Sequence, residues 1–395
     1  MDRAGHFPME IIEQILVNVP VKSLIRFRCV SRSWNSLISE SRFITKHSIA
    51  ARKRKSLQIV INQLHWRSEL QDSTIISITS SSEEENTASR IVSPFAADDV
   101  ISLLVSCGEM WCVQVNESIF LWNPSTTAFR KLPDPPRPWR NCPGRYFGMW
   151  GPDYDDQSST AGVIHDYKVL VVPCWCCDDW DEWLNHNSLR GATSELYSLR
   201  SNAWKEIQPF PAGTSKPCSN GVLVNGALHW MVYPADSNLV HMPSAIICFH
   251  LSSSEYGEVP QPTKYNPAPT LEGVDLTVLN GMLCAFFNYC SSAGRDGLVL
   301  WVMEEYGVEE SWTKLYDIRC SSIPSITPKF RKLSFTLMPL YMYEDGRVLI
   351  LVRNFNRESE IILYKNERTV VETVVARDRH RFCTAFLFAE TLISP

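Results

Sequence analysis

Residues 7–43 of the chain read FPMEIIEQILVNVPVKSLIRFRCVSRSWNSLISESRF, and this stretch decides the fold because its apolar residues recur at helical spacing. Pro8 suits the first turn of a helix. The apolar residues that follow fall on one helical face: Ile11, Ile12, Ile15, Leu16 and Val19. The spacing therefore predicts a first short helix that ends before Pro20.

Two further short helices are predicted after the first. Val21, Leu24 and Ile25 fall on one side of a second segment, and Ser31 is a candidate N-cap for a third. The apolar side of that third helix would consist of Val30, Trp34, Leu37 and Ile38. Three helices within about forty residues carry more apolar surface than so small a unit can bury, so such a unit usually needs a partner. On spacing alone, a plain helical cap packed on the following domain is an open alternative.

The composition is that of an ordinary soluble globular protein. Of the 395 residues, 45% are hydrophobic and 21% charged, and 38 Lys and Arg against 43 Asp and Glu give a net charge of -5. A mildly acidic chain lacks the basic footprint of a nucleic-acid or membrane-surface binder. No apolar run reaches the roughly 18 to 20 residues that span a bilayer. We therefore expect neither a nucleic-acid partner nor a membrane partner.

The cysteines and the first residues bear on the compartment. Thirteen cysteines are scattered along the chain, which favours reduced thiols over a disulfide framework. The opening residues MDRAGHFPME contain no signal-peptide hydrophobic region. We expect a location in the cytoplasm, the nucleus or both.

The basic run at residues 51–56 separates two regions of different pattern. We assign residues 1–50 to the helical domain, 51–56 to a basic linker and 57–395 to a β domain. The run at 52–55 fits a solvated linker, and a nuclear-localisation patch is the alternative interpretation.

From Leu57 onward, short β-type runs alternate with turns, and a repeat emerges. One repeat element is a tight turn between two apolar runs, centred on Gly108, Asp166, Gly226, Gly281 and Gly346. Three of these turns are strong hairpin signals because both central positions favour positive φ: Asn225-Gly226, Asn280-Gly281 and Asp345-Gly346.

The second repeat element is a pair of aromatic residues on two strands joined by a polar turn. The pairs are Trp122/Phe129, Tyr197/Trp204, Phe249/Tyr256 and Trp301/Trp312. Each repeat thus holds about four strands in about 60 residues, and radial stacking of such sheets gives a propeller of about six units. Five units are visible, and 57–100 would be a degenerate sixth; a β-sandwich is the alternative. We expect the aromatics at repeat positions to be core: Trp111, Trp122, Tyr197, Trp204, Trp230, Phe249, Trp301 and Trp312.

The first stretch resembles the F-box in its plant form. The matching phrases are Phe7-Pro8, IIEQIL at 11–16, VPVKSL at 19–24, RFRCVS at 26–31, and Ser33-Trp34 with Leu37-Ile38. The repeats resemble the F-box-associated, kelch-like domain of plant F-box proteins, as in LWNPSTTAFRKLP, YSLRSNAWKEI and GVLVNGALHW. The fold class implied is α+β multidomain: a three-helix F-box followed by an all-β, propeller-like domain of about six blades.

The resemblance implies a non-catalytic substrate-recognition subunit of a Skp–cullin–F-box ubiquitin ligase. The F-box would bind a Skp-type adaptor, and through it cullin and RING subunits, while the β domain would bind an unidentified substrate protein. No cofactor and no metal are expected. The candidate adaptor contacts are Pro8, Ile11, Ile12, Ile15, Leu16, Pro20, Leu24, Val30, Trp34 and Leu37.

Two segments are candidates for substrate binding because their aromatic and charged residues suit protein recognition. The predicted loop 133–150 is basic, with Arg137, Trp139, Arg140, Arg145 and Tyr146. The segment 174–186, CWCCDDWDEWLNH, is aromatic and acidic, with Trp175, Asp178, Asp179, Trp180 and Trp183. A Pro-rich connector and a loop folded back onto its sheet are the respective alternatives. The C-x-C-C spacing lacks the paired cysteines of structural zinc sites.

Two other functions stay open at this point. The chain contains no G-x-x-x-x-G-K-[ST], H-E-x-x-H or G-x-S-x-G motif, yet a propeller enzyme or glycan-binding protein with a helical cap is an alternative. An F-box protein that acts outside the ligase, for example as a nuclear regulator, is another.

Overall fold

The computed structural model describes the larger part of the chain. The described residues are 7–53, 58–63, 74–79, 87–91, 93–96, 99, 101–136, 144–151, 166–174, 193–211, 215–234, 245–262, 270–290, 296–323, 335–354, 359–365, 370–378, 383–388 and 390–395. Helices come first, and strands make up the rest.

The helical region holds four helices among these residues, one more than the three predicted. They are α1 (Met9–Leu16), α2 (Val21–Phe27), α3 (Arg32–Ser39) and α4 (Ser41–Lys53). Pro8 and Pro20 are the N-caps of α1 and α2, and the Ser31 hydroxyl accepts from the backbone N–H of Trp34 at 3.1 Å. The predicted N-cap at Ser31 is therefore confirmed.

Helix α4 was missed because its polar and basic residues look like a connector. Phe43 and His47 nevertheless lie four residues apart on one buried face, which is helical spacing. The His47 ring nitrogen Nε2 hydrogen bonds the Val19 carbonyl at 2.9 Å, which ties α4 to the start of α2. The domain boundaries at 50 and 57 stay a prediction.

Twenty-five strands follow within the described residues. Their bounds are β1 Gln58–Gln63, β2 Thr74–Thr79, β3 Thr87–Ile91, β4 Ile101–Cys107, β5 Met110–Val115, β6 Ser118–Trp122, β7 Phe129–Lys131, β8 Gly144–Trp150, β9 Lys168–Cys174, β10 Thr193–Ser198, β11 Ala203–Pro209, β12 Ser215–Pro217, β13 Val222–Val224, β14 Ala227–Pro234, β15 Ala245–His250, β16 Glu255–Val259, β17 Thr270–Leu279, β18 Met282–Cys290, β19 Gly297–Met303, β20 Trp312–Arg319, β21 Phe335–Met342, β22 Val348–Asn354, β23 Ser359–Tyr364, β24 Val370–Asp378 and β25 Cys383–Phe388.

These strands form six antiparallel sheets, numbered here in chain order. Sheet 2 is β4–β7, sheet 3 is β8–β11, sheet 4 is β12–β16, sheet 5 is β17–β20 and sheet 6 is β21–β24, each built from consecutive strands. Sheet 1 is different, because its order is β25-β1-β2-β3. The region 57–100 therefore supplies three strands, and a strand from much later in the sequence completes the sheet. Because β25 pairs along all of β1, from Gln58↔Phe388 to Gln63↔Cys383, this pairing closes the β domain.

The sheets are arranged in a ring, as a propeller requires. Shared hydrophobic clusters join sheets 2 and 3, 3 and 4, 4 and 5, and 5 and 6. Strand β25 of sheet 1 contacts β21 of sheet 6, and its Phe388 packs against Trp111 of sheet 2. Contacts between neighbouring sheets run mainly through one strand of each sheet. These strands are β4, β8, β13, β17 and β21, and they therefore lie on the inside of the ring. The sandwich alternative is wrong.

The repeated turns are confirmed in part. Gly108 and the pairs Asn225-Gly226 and Asn280-Gly281 have positive φ between paired strands. At Asp345-Gly346 only the glycine has positive φ, so the predicted two-residue hairpin is wrong there; residues 343–347 form a longer turn closed by a 2.8 Å bond from the Tyr343 N–H to the Arg347 carbonyl. Asp166 is not in a tight turn either, because residues 151–167 lie between β8 and β9.

The repeat aromatics form the core, as predicted. Trp122, Tyr197 and Phe249 are buried and lie directly opposite Phe129, Trp204 and Tyr256 in the strand register. Trp301 and Trp312 lie on the paired strands β19 and β20, as predicted, but Trp312 lies opposite Met303. Trp204 is half-buried and the other seven predicted core aromatics are buried: Trp111, Trp122, Tyr197, Trp230, Phe249, Trp301 and Trp312.

Candidate functional site

The helical module, defined as α1 to α4, has a small apolar core. Six of its side chains are buried together: Leu16, Val21, Leu24, Leu37, Ile38 and Phe43. A seventh, Leu392, comes from beyond β25 and is only 1% exposed. Phe27 and Trp34 pack edge to face at the border of this core, with ring centroids 5.7 Å apart. The module is thus mounted on the β domain by a residue distant in sequence.

The structure divides the predicted adaptor contacts into three groups by burial. Leu16, Leu24 and Leu37 are buried inside the module, so they support its core and cannot reach a partner directly. Ile12 and Trp34 are partly buried. The remaining five are exposed: Pro8, Ile11, Ile15, Pro20 and Val30. Ile15 is 58% exposed and Val30 is 61% exposed, which is costly for aliphatic side chains unless a partner covers them.

Sequence analysis missed three members of this exposed apolar set. Phe7 is 71% exposed, and Met9 and Ile25 are also exposed. Phe7 and Met9 lie at the start of α1, before the periodic pattern begins, so periodicity gave no signal for them. Ile25 was assigned to the same side of α2 as Leu24, because a helix of seven residues, about two turns, is too short for its spacing to separate the two. We define the apolar face of the module as Phe7, Pro8, Met9, Ile11, Ile15, Ile25 and Val30.

Polar contacts hold α1 against α4 while leaving the apolar face free for a partner. Lys46 of α4 forms an ion pair with Glu13 of α1 at 2.5 Å. The Asn18 side chain donates to the Gln14 carbonyl at 3.0 Å and closes the end of α1. Ile11 and Ile15 are four residues apart and therefore lie side by side on α1, which the Glu13–Lys46 ion pair holds against α4.

The β domain has two distinct ends. At one end, called here the turn end, the first strand of a sheet turns into the second and the third into the fourth. Thr127, Asn202 and Ser254 take positive φ in three of these third-to-fourth turns. The turn ends of neighbouring sheets meet: the Tyr167 hydroxyl of sheet 3 donates to Glu109 of sheet 2 at 2.6 Å.

The helical module lies at the turn end. Thr391, next to Leu392, bonds to the turn between β6 and β7 through the Ser125 hydroxyl and the Asn123 side chain. Ile44 of α4 packs against the cluster shared by sheets 2 and 3. Antiparallel strands alternate in direction, so the end of the sheets opposite the turn end is also defined. Strands β7 and β9 end there, and strands β8 and β10 begin there.

The predicted substrate-binding residues lie outside the described residues: Arg137, Trp139, Arg140, Trp175, Asp178, Asp179, Trp180 and Trp183. The predicted loop 133–150 is corrected in its second half, because Gly144–Trp150 is strand β8. Arg145 and Tyr146 are on that strand, and Trp150 is buried beneath the Lys168 ammonium, 5.9 Å from the ring centroid. The Pro-rich sequence before Gly144 gave no strand signal.

Two buried titratable groups at sheet contacts have shifted pKa values. Burial lowers the pKa of His229 to about 4, and its ring Nε2 hydrogen bonds the Tyr306 hydroxyl at 2.7 Å. Burial raises the pKa of Asp275 to about 6, and its carboxylate accepts from the Ser219 hydroxyl at 2.6 Å. Both groups join sheet 4 to sheet 5, so their partners give them a packing role.

In the described part of the chain, no group of three or more His, Cys, Asp or Glu side chains is placed to hold a metal ion. Among the same residues, no helix has both the length and the apolar character to cross a membrane. The cysteines whose side chains are described are free thiols: Cys29, Cys107, Cys112, Cys218, Cys248, Cys284 and Cys320.

Comparison with known proteins matches both parts of the chain. The F-box domain profile matches residues 5–46, and the profile of the F-box associated beta propeller domain matches residues 60–394. An F-box/kelch-repeat protein of Arabidopsis thaliana is 28% identical over 407 residues, covering 99% of this chain and 96% of that protein. The F-box protein CPR1 of Arabidopsis thaliana is 25% identical, covering 98% of this chain and 87% of its own length. Among solved structures, the six-bladed lectin of Aleuria aurantia aligns with a TM-score of 0.39 at 10% identity, covering 80% of this chain and 95% of the lectin.

Proposed function

Because the chain belongs to the family of F-box proteins with an F-box associated β-propeller domain, we propose that it is a substrate-recognition subunit of a Skp–cullin–F-box ubiquitin ligase. The F-box binds a Skp-type adaptor and, through it, the cullin and RING subunits. The propeller binds the protein to be ubiquitinated. In this proposal the chain is an adaptor, and the ligase chemistry takes place on other subunits.

The observation that carries the proposal is the apolar face of the helical module. Seven apolar residues are exposed around α1 and α2, although the module has its own core of leucine, isoleucine and phenylalanine. Burying an exposed aliphatic side chain contributes about 1.5–3 kcal/mol, so a partner that covers Ile15 and Val30 gains much of its affinity there. A groove between adaptor helices suits such a face, because helix-in-groove binding reads apolar residues at i and i+4.

The substrate end is proposed to be opposite the F-box. The module is attached to the turn end, whereas the strands that flank the segments 137–143 and 175–192 end and begin at the other end. We infer that each of the six sheets is one blade and that substrate binds at that far end. The residues proposed to bind it lie outside the described residues: Arg137, Trp139, Arg140, Trp175, Asp178, Asp179, Trp180 and Trp183. This arrangement would leave adaptor and substrate on separate surfaces.

The adaptor half of the proposal is tested by binding a purified Skp-type adaptor to the full chain. Ile15→Asp puts a charge in the centre of the apolar face, and we expect it to weaken binding by about a hundredfold or more because burying an unpaired carboxylate is costly. Ile49→Asp is the matched control, because Ile49 is an isoleucine of similar exposure (49%) on α4 and is not part of the apolar face. Equal adaptor binding by wild type and Ile15→Asp would contradict the proposal.

The substrate half is tested with the same variant. Tagged wild-type chain and Ile15→Asp chain are purified from proteasome-inhibited plant cells, and the co-purified proteins are compared. Ligase subunits should be lost with the variant, whereas substrates bound to the propeller should be kept and should lose their ubiquitin. Substitution of Trp180 and Trp183 by Ala should have the converse effect, with ligase subunits kept and substrates lost.

A further inference from the structure

The segment 391–393 joins the two parts of the molecule with side chains that point in different directions. Leu392 belongs to the core of the helical module, together with Leu16, Leu24 and Phe43 among others. Its neighbour Ile393 belongs to the cluster shared by sheets 2 and 3. Both side chains are at most 2% exposed, so two adjacent residues contribute to two different cores.

One buried side-chain amide holds this segment in place. The Asn123 Nδ2 group donates to the Ile393 carbonyl at 2.7 Å and to the Thr391 carbonyl at 3.1 Å. The side-chain oxygen of Asn123, Oδ1, makes a different contact, because it accepts from the Ser125 N–H at 2.9 Å. Asn123 is fully buried, so its two N–H donors have these carbonyls in place of water.

The position of this segment depends on closure of the propeller. Residues 391–393 follow β25, which pairs with β1 to complete sheet 1. Phe388, at the end of β25, packs on Trp111 of sheet 2 with ring centroids 5.5 Å apart. Leu392 therefore reaches the helical module only when β25 has been added to the ring.

We propose that segment 391–393 is a structural part of the F-box, and that propeller closure controls formation of the adaptor-binding face. The helical module is too small to be stable with the six buried side chains of its own sequence. Leu392 supplies the missing part of its core, and Asn123 holds Leu392 there. When the propeller is open, the helical module is partly unfolded. Only the closed propeller therefore binds the adaptor, and this statement about the adaptor rests on the proposed function.

The structural claim is tested without the adaptor, by hydrogen–deuterium exchange of the full chain. In Leu392→Asp we expect peptides from α1 to α3 to exchange about tenfold faster or more, because a buried leucine is replaced by a charge. Peptides from β14 and β15, on the far side of the ring, should keep their wild-type rates. Ser394→Asp is the matched control, because Ser394 is exposed and two residues away. Unchanged exchange of α1 to α3 in Leu392→Asp overturns the proposal.

A second variant tests whether Asn123 acts through Leu392. Asn123→Asp keeps the shape and the acceptor for the Ser125 N–H but turns the two donors toward Ile393 and Thr391 into acceptors. It should speed exchange of α1 to α3 as Leu392→Asp does, and the double variant should be no worse than either, since neighbours that act as one unit are not additive. Additive effects, or loss of exchange protection in β6 and β7 with α1 to α3 spared, would show that Asn123 serves sheet 2 instead.

Adaptor binding then separates the two proposals. If wild type binds the adaptor, the variant of Leu392 (Asp or Ala) that speeds exchange of α1 to α3 more should also lose more adaptor affinity. Ser394→Asp should bind the adaptor as wild type does. Full affinity of a Leu392→Asp chain whose helices are frayed would refute control of the face by closure. If wild type fails to bind any Skp-type adaptor, the proposed function fails while the exchange result still decides the role of segment 391–393.

Discussion

The indole N–H of Trp312, at the start of the outermost strand of sheet 5, donates a 2.8 Å hydrogen bond to the carbonyl oxygen of Pro260, which follows the outermost strand of sheet 4. The same bond recurs between sheets 3 and 2, where Trp204 donates to the Pro133 carbonyl at 2.7 Å. Each tryptophan thus joins its own blade to the one before it, through the carbonyl of a proline that follows the outermost strand of the preceding blade.

Replacing Trp312 by Phe should destabilise the propeller, because the aromatic packing is kept while the Pro260 carbonyl loses its partner. We expect the free energy of unfolding to fall by about 1–2 kcal/mol, the usual range for a buried hydrogen bond. Trp204→Phe should cost less, because Trp204 is only half-buried and water can replace the indole. Urea unfolding measures both losses of free energy, provided that the slope of the unfolding free energy against urea concentration is the same in wild type and variants. A loss for Trp204→Phe as large as that for Trp312→Phe, or larger, would argue against the hydrogen bond as the cause.

A second inter-blade contact uses both ends of one side-chain amide. Asn288 of β18 is buried, donates to the Leu337 carbonyl at 3.1 Å and accepts from the Leu337 N–H at 2.8 Å. The Asn288 side chain thereby makes the two hydrogen bonds to Leu337 of β21 that the backbone of a neighbouring strand would make. This contact lies where sheets 5 and 6 meet.

Asn288→Asp should be strongly destabilising, because a carboxylate would face the Leu337 carbonyl inside the protein. We expect a loss of about 2–4 kcal/mol at pH 7, and a smaller loss at pH 4, where the protonated carboxyl can donate again. Asn35→Asp on α3 is the control, since Asn35 is exposed. Thermal unfolding at the two pH values measures the difference, and a loss that does not depend on pH would contradict this role for the amide.

The sequence was informative where one physical requirement acts locally. Hairpins at Asn225-Gly226 and Asn280-Gly281 were predicted because positive φ restricts the residue choice. The placement of Tyr197 and Trp204 on two strands joined by a turn was predicted because the residues between them are polar and suit a hairpin turn. The helix N-cap at Ser31 belongs to the same kind of local signal.

Contacts between distant residues left no local signal. Leu392 is one more leucine in a short apolar run, and only the closed ring places it beside Leu16 and Phe43. Likewise, no periodicity marks Asn123 as the residue that holds it, because Asn-Pro-Ser is a common turn sequence. The division of the apolar face from the core of the helical module was also out of reach, since Ile15 and Leu16 are equally apolar and differ only in what surrounds them.

A pH dependence follows from His229, whose pKa burial lowers to about 4 from an ordinary value of 6.5. Between pH 4 and pH 6.5, His229 therefore binds a proton in the unfolded chain but stays neutral in the folded chain. By linkage, the stability contributed by neutral His229 is present above pH 6.5 and is lost as the pH falls toward 4. Asp275 acts in the opposite direction, because its raised pKa of about 6 favours the folded state at acidic pH.

The two groups can be separated by choosing the pH window. Between pH 7 and 6, Asp275 is ionised in the unfolded chain and begins to take up a proton only in the folded one, so its contribution to stability rises as the pH falls. A loss of stability in this window is therefore not caused by Asp275. We expect His229→Gln, which can still reach the Tyr306 hydroxyl, to lose less stability than wild type between pH 7 and 5. Urea unfolding at half-unit steps of pH measures the slopes, and identical slopes for wild type and His229→Gln would show that the buried imidazole is not the group that titrates.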